Sequence, residues 1–370
     1  MRLPRGYSYI TEKQLYKFRF TYDGSRYSVY GRSVKECEEK RKQLEQSLEN
    51  QMHIDNRTIT LKKYFDLWIT EQAKEVKDST VYAYQKSWKY IEPLLGGRQI
   101  RKLSKADVQL MQKKMLDSGS SPDNINRVTR LLKQILNSAV NDRIIIFNPC
   151  NGIKKLKSYK QKAVDTNHRA LTEQETTVFL EYAKDCSYIN LFRFLLATGC
   201  RIGEATALTW FDISFEKSEI NVNKTVSRTA NNVFEISTSP KTDSSNRAIP
   251  ITQEIKNILE NQKERNSMLY GSRCAFVFPN SRGNLANYNS VNVCIGNVIK
   301  NISDKCEDFE PFTAHAFRDT FATRCIEQGM QPQTLKALLG HSSLKMTMDL
   351  YAHVMPNTKQ EELERIRFVV

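Results

Sequence analysis

Histidine is scarce in this chain, and three of its five copies, His315, His341 and His353, lie in the last 56 of 370 residues. Chemistry that relies on an imidazole is therefore expected near the C-terminal end. The run T-A-H-A-F-R reads as a helix start capped by Thr313, and a spacing of three puts His315 and Arg318 on one helical face. Phe317, Phe321 and Cys325 make the opposing apolar stripe, so the pair is expected to turn together toward a cleft or solvent. A solvated surface pair fits the same spacing. Residues 338–343, L-L-G-H-S-S, read as a helix stopped by Gly340, then His341, then a new helix capped by Ser343. That helix carries Tyr351 on the face of Leu344 and Met348, and by itself this spacing describes a core tyrosine. Upstream, T-G-C-R-I-G-E sets Arg201 in a glycine-punctuated turn, where its planar fork suits either a phosphate or an ion pair with Glu204. Lys241 falls in an S-P-K-T turn between two strands, a place where lysine is commonly only a surface charge.

Motifs that the chain lacks narrow the chemistry. The sequence holds no G-x-x-x-x-G-K loop, no H-E-x-x-H and no evident carboxylate cluster for paired metals, so ATP-driven or metal-dependent cutting is disfavoured and neither cofactor nor metal is expected. Cutting a phosphodiester without a metal requires protein cations at the non-bridging oxygens. Two arginines and one or two histidines can supply them. A tyrosine hydroxyl, with a free pKa of about 10, is a poor nucleophile unless nearby cations favour the phenolate or a base removes its proton. The leaving 5′ oxygen needs a proton, for which Lys241 is the candidate donor.

The elements that must position these residues read as a multidomain α+β chain. Residues 1–52 predict a small sheet backed by a helix. Runs 16–22 and 25–30 flank Asp23-Gly24, a hairpin turn signal that pairs Phe20 with Tyr27 and Phe18 with Val29 on one face. Lys17, Arg19 and Arg26 then share the other, basic face, and Ser33 with Glu36 makes a capping box for the following helix. Residues 58–150 predict a unit of four or five helices, with Leu61, Tyr64, Phe65 and Trp68 on one face and Ser104-Asp107 capping a later helix. Residues 151–168 form a basic linker that includes Lys154, Lys155 and Lys157. Residues 169–370 predict a mostly helical domain, opened by a Thr172-Glu175 capping box, with a small antiparallel sheet from strands at 219–226, 233–238 and 247–251.

Charge divides unevenly over these modules. Lys and Arg outnumber Asp and Glu by 11 to 7 in residues 1–50 and by 22 to 10 in residues 51–164, whereas residues 165–370 hold 23 against 24. The excess points to a polyanion gripped by the first two modules through phosphate neutralisation. The chain shows no apolar run of membrane-spanning length and no signal-like leader, so a cytoplasmic, DNA-associated protein is expected. Eight scattered cysteines without C-x-x-C spacing read as reduced thiols.

Taken in order, TGCRIGEATALTW, PKTDSSNRAIPI, HAFRDTFAT, LGHSS and TMDLYAHV resemble the tyrosine site-specific recombinases, and the modules before them resemble phage and conjugative-transposon integrases. The resemblance implies Arg201, Lys241, His315, Arg318, His341 and Tyr351 as the active-site set, with Tyr351 forming a 3′-phosphotyrosyl link. It also implies a three-stranded arm-site domain at 7–50, a helical core-site domain at 58–150, and a tetramer on double-stranded DNA built from free monomers. An excisionase and a DNA-bending host protein are implied as accessory partners. Type IB topoisomerases look similar at the active site, but the arm-like module argues for an integrase. A helical tail at 357–370 is expected to pack on a neighbouring protomer or on its own domain.

Overall fold

The computed structural model describes residues 6–11, 14–22, 25–50, 58–157, 169–238, 246–271, 274–305 and 309–354, with backbone alone at 22, 25, 45–50 and 353. The chain divides into two units, residues 1–74 with 86–157 and residues 75–85 with 158–370.

The first unit opens with an antiparallel sheet, β1 (Tyr7–Ile10), β2 (Leu15–Tyr22) and β3 (Ser25–Gly31), in that order across the sheet. β2 and β3 pair Phe20 with Tyr27, Phe18 with Val29, Thr21 with Arg26, Arg19 with Ser28 and Lys17 with Tyr30. This is the register that a two-residue turn imposes, although Asp23-Gly24 itself lies outside the described residues. Side chains alternate across the strands, so one face carries packed aromatics, with Tyr7 tilted against Phe18 at 4.6 Å and Phe20 stacked on Tyr27 at 5.6 Å. Helix α1 (Val34–Asn50) covers that face. Its first turn is held by Ser33 Oγ, which accepts from the Glu36 N–H at 3.1 Å, and by the Glu36 carboxylate, which accepts from the Arg32 N–H at 2.7 Å. On the opposite face Arg19 and Arg26 are exposed, and the Lys17 ammonium lies 5.3 Å from the Tyr30 ring centre.

Four helices follow, α2 (Leu61–Glu75), α3 (Asp78–Ile91), α4 (Lys105–Asp117) and α5 (Pro122–Asn141). Leu61, Tyr64, Phe65 and Trp68 form the buried stripe of α2, and Phe65 stacks on Trp88 at 4.0 Å. The Trp68 indole donates to Ser138 Oγ at 3.0 Å, which satisfies its one polar atom inside the core. α5 buries Ile125, Val128, Leu132, Ile135 and Leu136 along one side. The basic segment after α5 is fixed at one point: Asn126 donates to the Leu156 carbonyl and accepts from the Leu156 N–H, both at 2.9 Å. Lys154, Lys155 and Lys157 remain exposed beside it, and residues 158–168 lie outside the described residues.

The second unit surrounds a core contributed by α6 (Glu173–Tyr182), α7 (Ile189–Thr198), α9 (Gln253–Tyr270), α10 (Tyr288–Ser303) and α11 (His315–Glu327). Phe179, Phe192, Phe312 and Phe317 pack in tilted and edge-on pairs at its centre, 5.0–5.5 Å apart. The short α8 (Ile202–Ala207) precedes five strands, β4 (Ile213–Ser214), β5 (Glu219–Val222), β6 (Thr225–Arg228), β7 (Phe234–Ser237) and β8 (Arg247–Pro250). The strand expected at 219–226 is broken in two. Lys224 turns inward to the nearly buried Asp212 carboxylate at 2.7 Å and to Thr209 Oγ1 at 3.1 Å, and a charge committed to that pair interrupts the strand. β8 therefore pairs with β5, and β5 with β4, whereas β6 and β7 form a separate ribbon. α12 (Pro332–Leu339) and α13 (Leu344–Val354) enclose a smaller apolar cluster of Ala322, Cys325, Ile326, Leu335 and Leu339.

Cys186 and Cys294 bring their sulfur atoms together. They are 108 residues apart, so local spacing carries no trace of the pairing. Cys37, Cys150, Cys200, Cys274 and Cys325 are free, and Cys306 lies outside the described residues. No helix among the described residues is long and apolar enough to cross a membrane.

Candidate active site

Helix ends place the polar residues. α7 stops at Gly199, whose φ of 63° is left-handed, and Arg201 then stands immediately before the first turn of α8. Glu204, one turn into α8, accepts from the Arg201 backbone N–H at 3.0 Å and from its guanidinium at 2.8 Å. Arg201 is thus ion-paired, and with 39% of its side chain exposed it also lines a cleft.

α11 starts at His315 with Ala314 in the capping position, so the cap expected from Thr313 is absent; its backbone carbonyl accepts from the Ala316 N–H instead. His315 and Arg318 both border one cleft, as the shared helical face predicts, but they differ in exposure. Much of α11 is buried, and Arg318 is only 4% exposed, whereas His315 at the helix edge keeps 52% of its side chain exposed. The Arg318 guanidinium donates to the Gly199 carbonyl at 2.8 Å and to the Leu339 carbonyl at 2.7 Å. These groups sit at the C-terminal ends of α7 and α12, where helix dipoles favour a cation. Burial and then the charge of Arg201 push the Arg318 pKa down to about 10, so it remains protonated at neutral pH.

α12 ends at Gly340, φ 64°, and the His341 N–H closes the turn on the Lys336 carbonyl. His341 Nδ1 lies 3.0 Å from Oγ1 of Thr347, a fully buried residue on α13. Burial, then Arg318, Arg201 and Arg247, push the His341 pKa down to about 4. Its imidazole is neutral at pH 7, so a single tautomeric N–H is available for donation.

Arg201, His315, Arg318 and His341 thus meet on one cleft of about 420 Å³, together with Asp319, Met346, Asp349 and Leu350. Two guanidinium groups and two imidazoles around one space suit a phosphate whose charge rises during reaction. Tyr351 is not brought into that lining. Its hydroxyl donates to the Met330 carbonyl, and its ring packs with Phe321, Met330 and Val354 against the smaller apolar cluster. Burial raises the phenol pKa, with a further contribution from Cys325. Leu344 and Met348, assigned to the same core face, are exposed. Lys241 and its turn lie outside the described residues, as does the tail at 357–370. Glu204, seen in sequence only as a salt-bridge partner, proves to be shared with Arg247. Spacing gave no signal for Asp319, Thr347 or Asp349 at the site. Among the described residues, no group of three or more His, Cys, Asp or Glu side chains could hold a metal ion.

The family model described as "Phage integrase family" matches residues 169–358, and that described as "Phage integrase, N-terminal SAM-like domain" matches residues 60–116. The chain is 26% identical to a protein named "Tyrosine recombinase XerC-like" from Caldanaerobacter subterraneus subsp. tengcongensis, over 92% of this chain and 91% of that protein. It is 29% identical to the transposase from transposon Tn916 of Enterococcus faecalis, over 74% of this chain and 68% of that one. A solved structure of the Tn1549 transposon integrase in complex with a circular intermediate DNA is similar at a TM-score of 0.71 and 25% identity, covering 84% of this chain and 100% of that one.

Proposed function

Because the chain belongs to the phage integrase family and is a tyrosine recombinase of integrase type, we propose that Tyr351 cuts a DNA strand at the phosphate held in the cleft. The observation that carries this reading is the meeting of Arg201, His315, Arg318 and His341 on one cleft, with the helix that bears Tyr351 tied to it through His341 and Thr347.

In this scheme Arg201 and Arg318 bind the non-bridging oxygens, and the neutral His341 donates a further hydrogen bond. The Tyr351 oxygen attacks phosphorus, forming the phosphotyrosyl bond at the 3′ end while the bond to the 5′ oxygen breaks. His315, exposed at the cleft and 3.8 Å from the Asp319 carboxylate, takes the phenol proton. Lys241 gives a proton to the leaving 5′ oxygen. The phosphodiester energy stays in the phosphotyrosyl bond, so rejoining by the reverse attack needs neither ATP nor metal. Tyr351 must first leave the Met330 carbonyl, because in its present place it has a raised pKa and does not line the cleft.

Double-stranded DNA is the substrate, met at core sites by residues 58–150 and 169–370 and at arm sites by the Lys17, Arg19 and Arg26 face. Lys154, Lys155 and Lys157 add backbone contacts. Strand exchange takes place in a tetramer, and an excisionase and a DNA-bending protein assist it. The product is integration, and in reverse excision, of a mobile element.

A nicked suicide duplex, which loses a short fragment on cutting, tests the central step. Wild-type chain is expected to become covalently attached at Tyr351, as mapped on the recovered peptide. Tyr351→Phe is expected to bind the duplex normally and never attach. Attachment through any other residue overturns the scheme.

A further inference from the structure

Arg247, the first residue of β8, belongs to none of the roles above, and its side chain is only 6% exposed. It does not line the cleft shared by Arg201, His315, Arg318 and His341. Its guanidinium instead joins the two turns that carry Arg201 and His341. One nitrogen donates to Glu204 Oε2 at 2.8 Å, and Nε donates to the Leu338 carbonyl at 2.6 Å. Leu338 is followed by Leu339, whose carbonyl is held by Arg318, then by Gly340 and His341. Two arginines therefore hold consecutive carbonyls at the end of α12, directly before the histidine of the cleft.

Glu204 has 7% of its side chain exposed and divides its oxygens: Oε1 accepts from the Arg201 guanidinium, and Oε2 accepts from Arg247 and from the Arg201 backbone N–H. Although burial by itself would raise the Glu204 pKa, Arg247 and then Arg201 hold it below the usual carboxylate range. A buried carboxylate facing a single arginine would cancel that arginine's charge. With Arg247 as a second partner the trio keeps a net positive charge, and Arg201 is its exposed member.

We propose that Arg247 is a positioning residue for strand cleavage: it occupies Glu204 so that Arg201 keeps its charge for the phosphate, and it fixes the turn bearing His341. This rests on the covalent reading above. A lysine retains the charge but lacks the planar fork that reaches a carboxylate and a carbonyl together.

The test is single-turnover attachment to a nicked suicide duplex, with duplex affinity and thermal unfolding measured on the same full-length proteins. Arg247→Gln is expected to attach about 30-fold more slowly while its duplex affinity stays within about threefold. Adding Glu204→Gln removes the competing carboxylate, and the double variant is expected to recover about tenfold over Arg247→Gln. A purely structural role predicts no such recovery. Arg247→Lys, which keeps the buried charge, serves if Arg247→Gln fails to fold, and is expected to attach about tenfold slower at a Tm near wild type. Wild-type rates in Arg247→Lys and Arg247→Gln, or a double variant no faster than Arg247→Gln, overturn this inference alone. A wild-type chain that never becomes attached overturns the covalent reading, and this inference with it.

Discussion

His341 is the residue where burial changes the chemistry most plainly. An ordinary histidine titrates near pH 6.5, but this one, buried and facing Arg318, Arg201, Arg247 and His315, is held down to about 4. The folded chain therefore binds fewer protons at this residue than the unfolded chain between those two values. The stability associated with the neutral ring is complete above pH 6.5 and is lost as pH falls from there toward 4. An NMR titration of the imidazole should show no protonation near pH 6, and a midpoint of 6 or higher would remove the assignment of His341 as a neutral donor. Spacing in the sequence brings out His341 as a candidate, but its charge state depends on three arginines drawn from other segments. Tyr351 teaches the same lesson in the opposite direction. Its types of neighbour suggested either a core residue or a nucleophile, and the fold holds it on the Met330 carbonyl, outside the cleft.

Among the elements, the stop of α7 does more than end a helix. Gly199 holds a left-handed φ of 63°, its carbonyl accepts from Arg318, and a methyl group added to it would come within 2.9 Å of Leu339 Cδ2 and closer still to the Phe321 ring. Gly199→Ala thus combines backbone strain with overpacking, and should destabilise the chain by roughly 2–4 kcal/mol. It should also slow attachment to the suicide duplex, because the carbonyl that orients Arg318 shifts with the turn. Chemical denaturation checks the first effect, and a variant as stable as wild type would contradict it. The glycine punctuation and the Ser104, Thr172 and Ser33 caps were legible because caps act within one helical turn. The break between β5 and β6 was not, because a strand pattern does not reveal that Lys224 has a carboxylate partner twelve residues earlier.

For the whole molecule, the division of charge sets the expected division of labour. Residues 1–164 hold the entire positive excess, and residues 165–370 carry one more acidic than basic residue. Affinity for DNA should therefore fall steeply with salt, and most of that slope should come from the N-terminal modules. Deleting residues 1–52 is expected to preserve cleavage of isolated core sites while abolishing integration in a two-site recombination assay. Unchanged integration would remove the arm-site role from the sheet face of Lys17, Arg19 and Arg26. Arg201, the exposed cation of the cleft, does not belong to that broad field, since its counter-charge is the local Glu204, shared with Arg247.

Sequence by itself determined what short-range rules control: the β2–β3 register, the helix starts capped by Ser33, Ser104 and Thr172, the stops at Gly199 and Gly340, the charge division, and the order of the residues that meet at the cleft. Tertiary structure alone decided which of those residues are buried, which arginine guards which carbonyl, where Tyr351 rests, and that Cys186 meets Cys294. The physical reason is range. Periodicity, capping and turn geometry are settled within a few residues of chain, whereas desolvation and ion pairing depend on groups that only the folded core brings together.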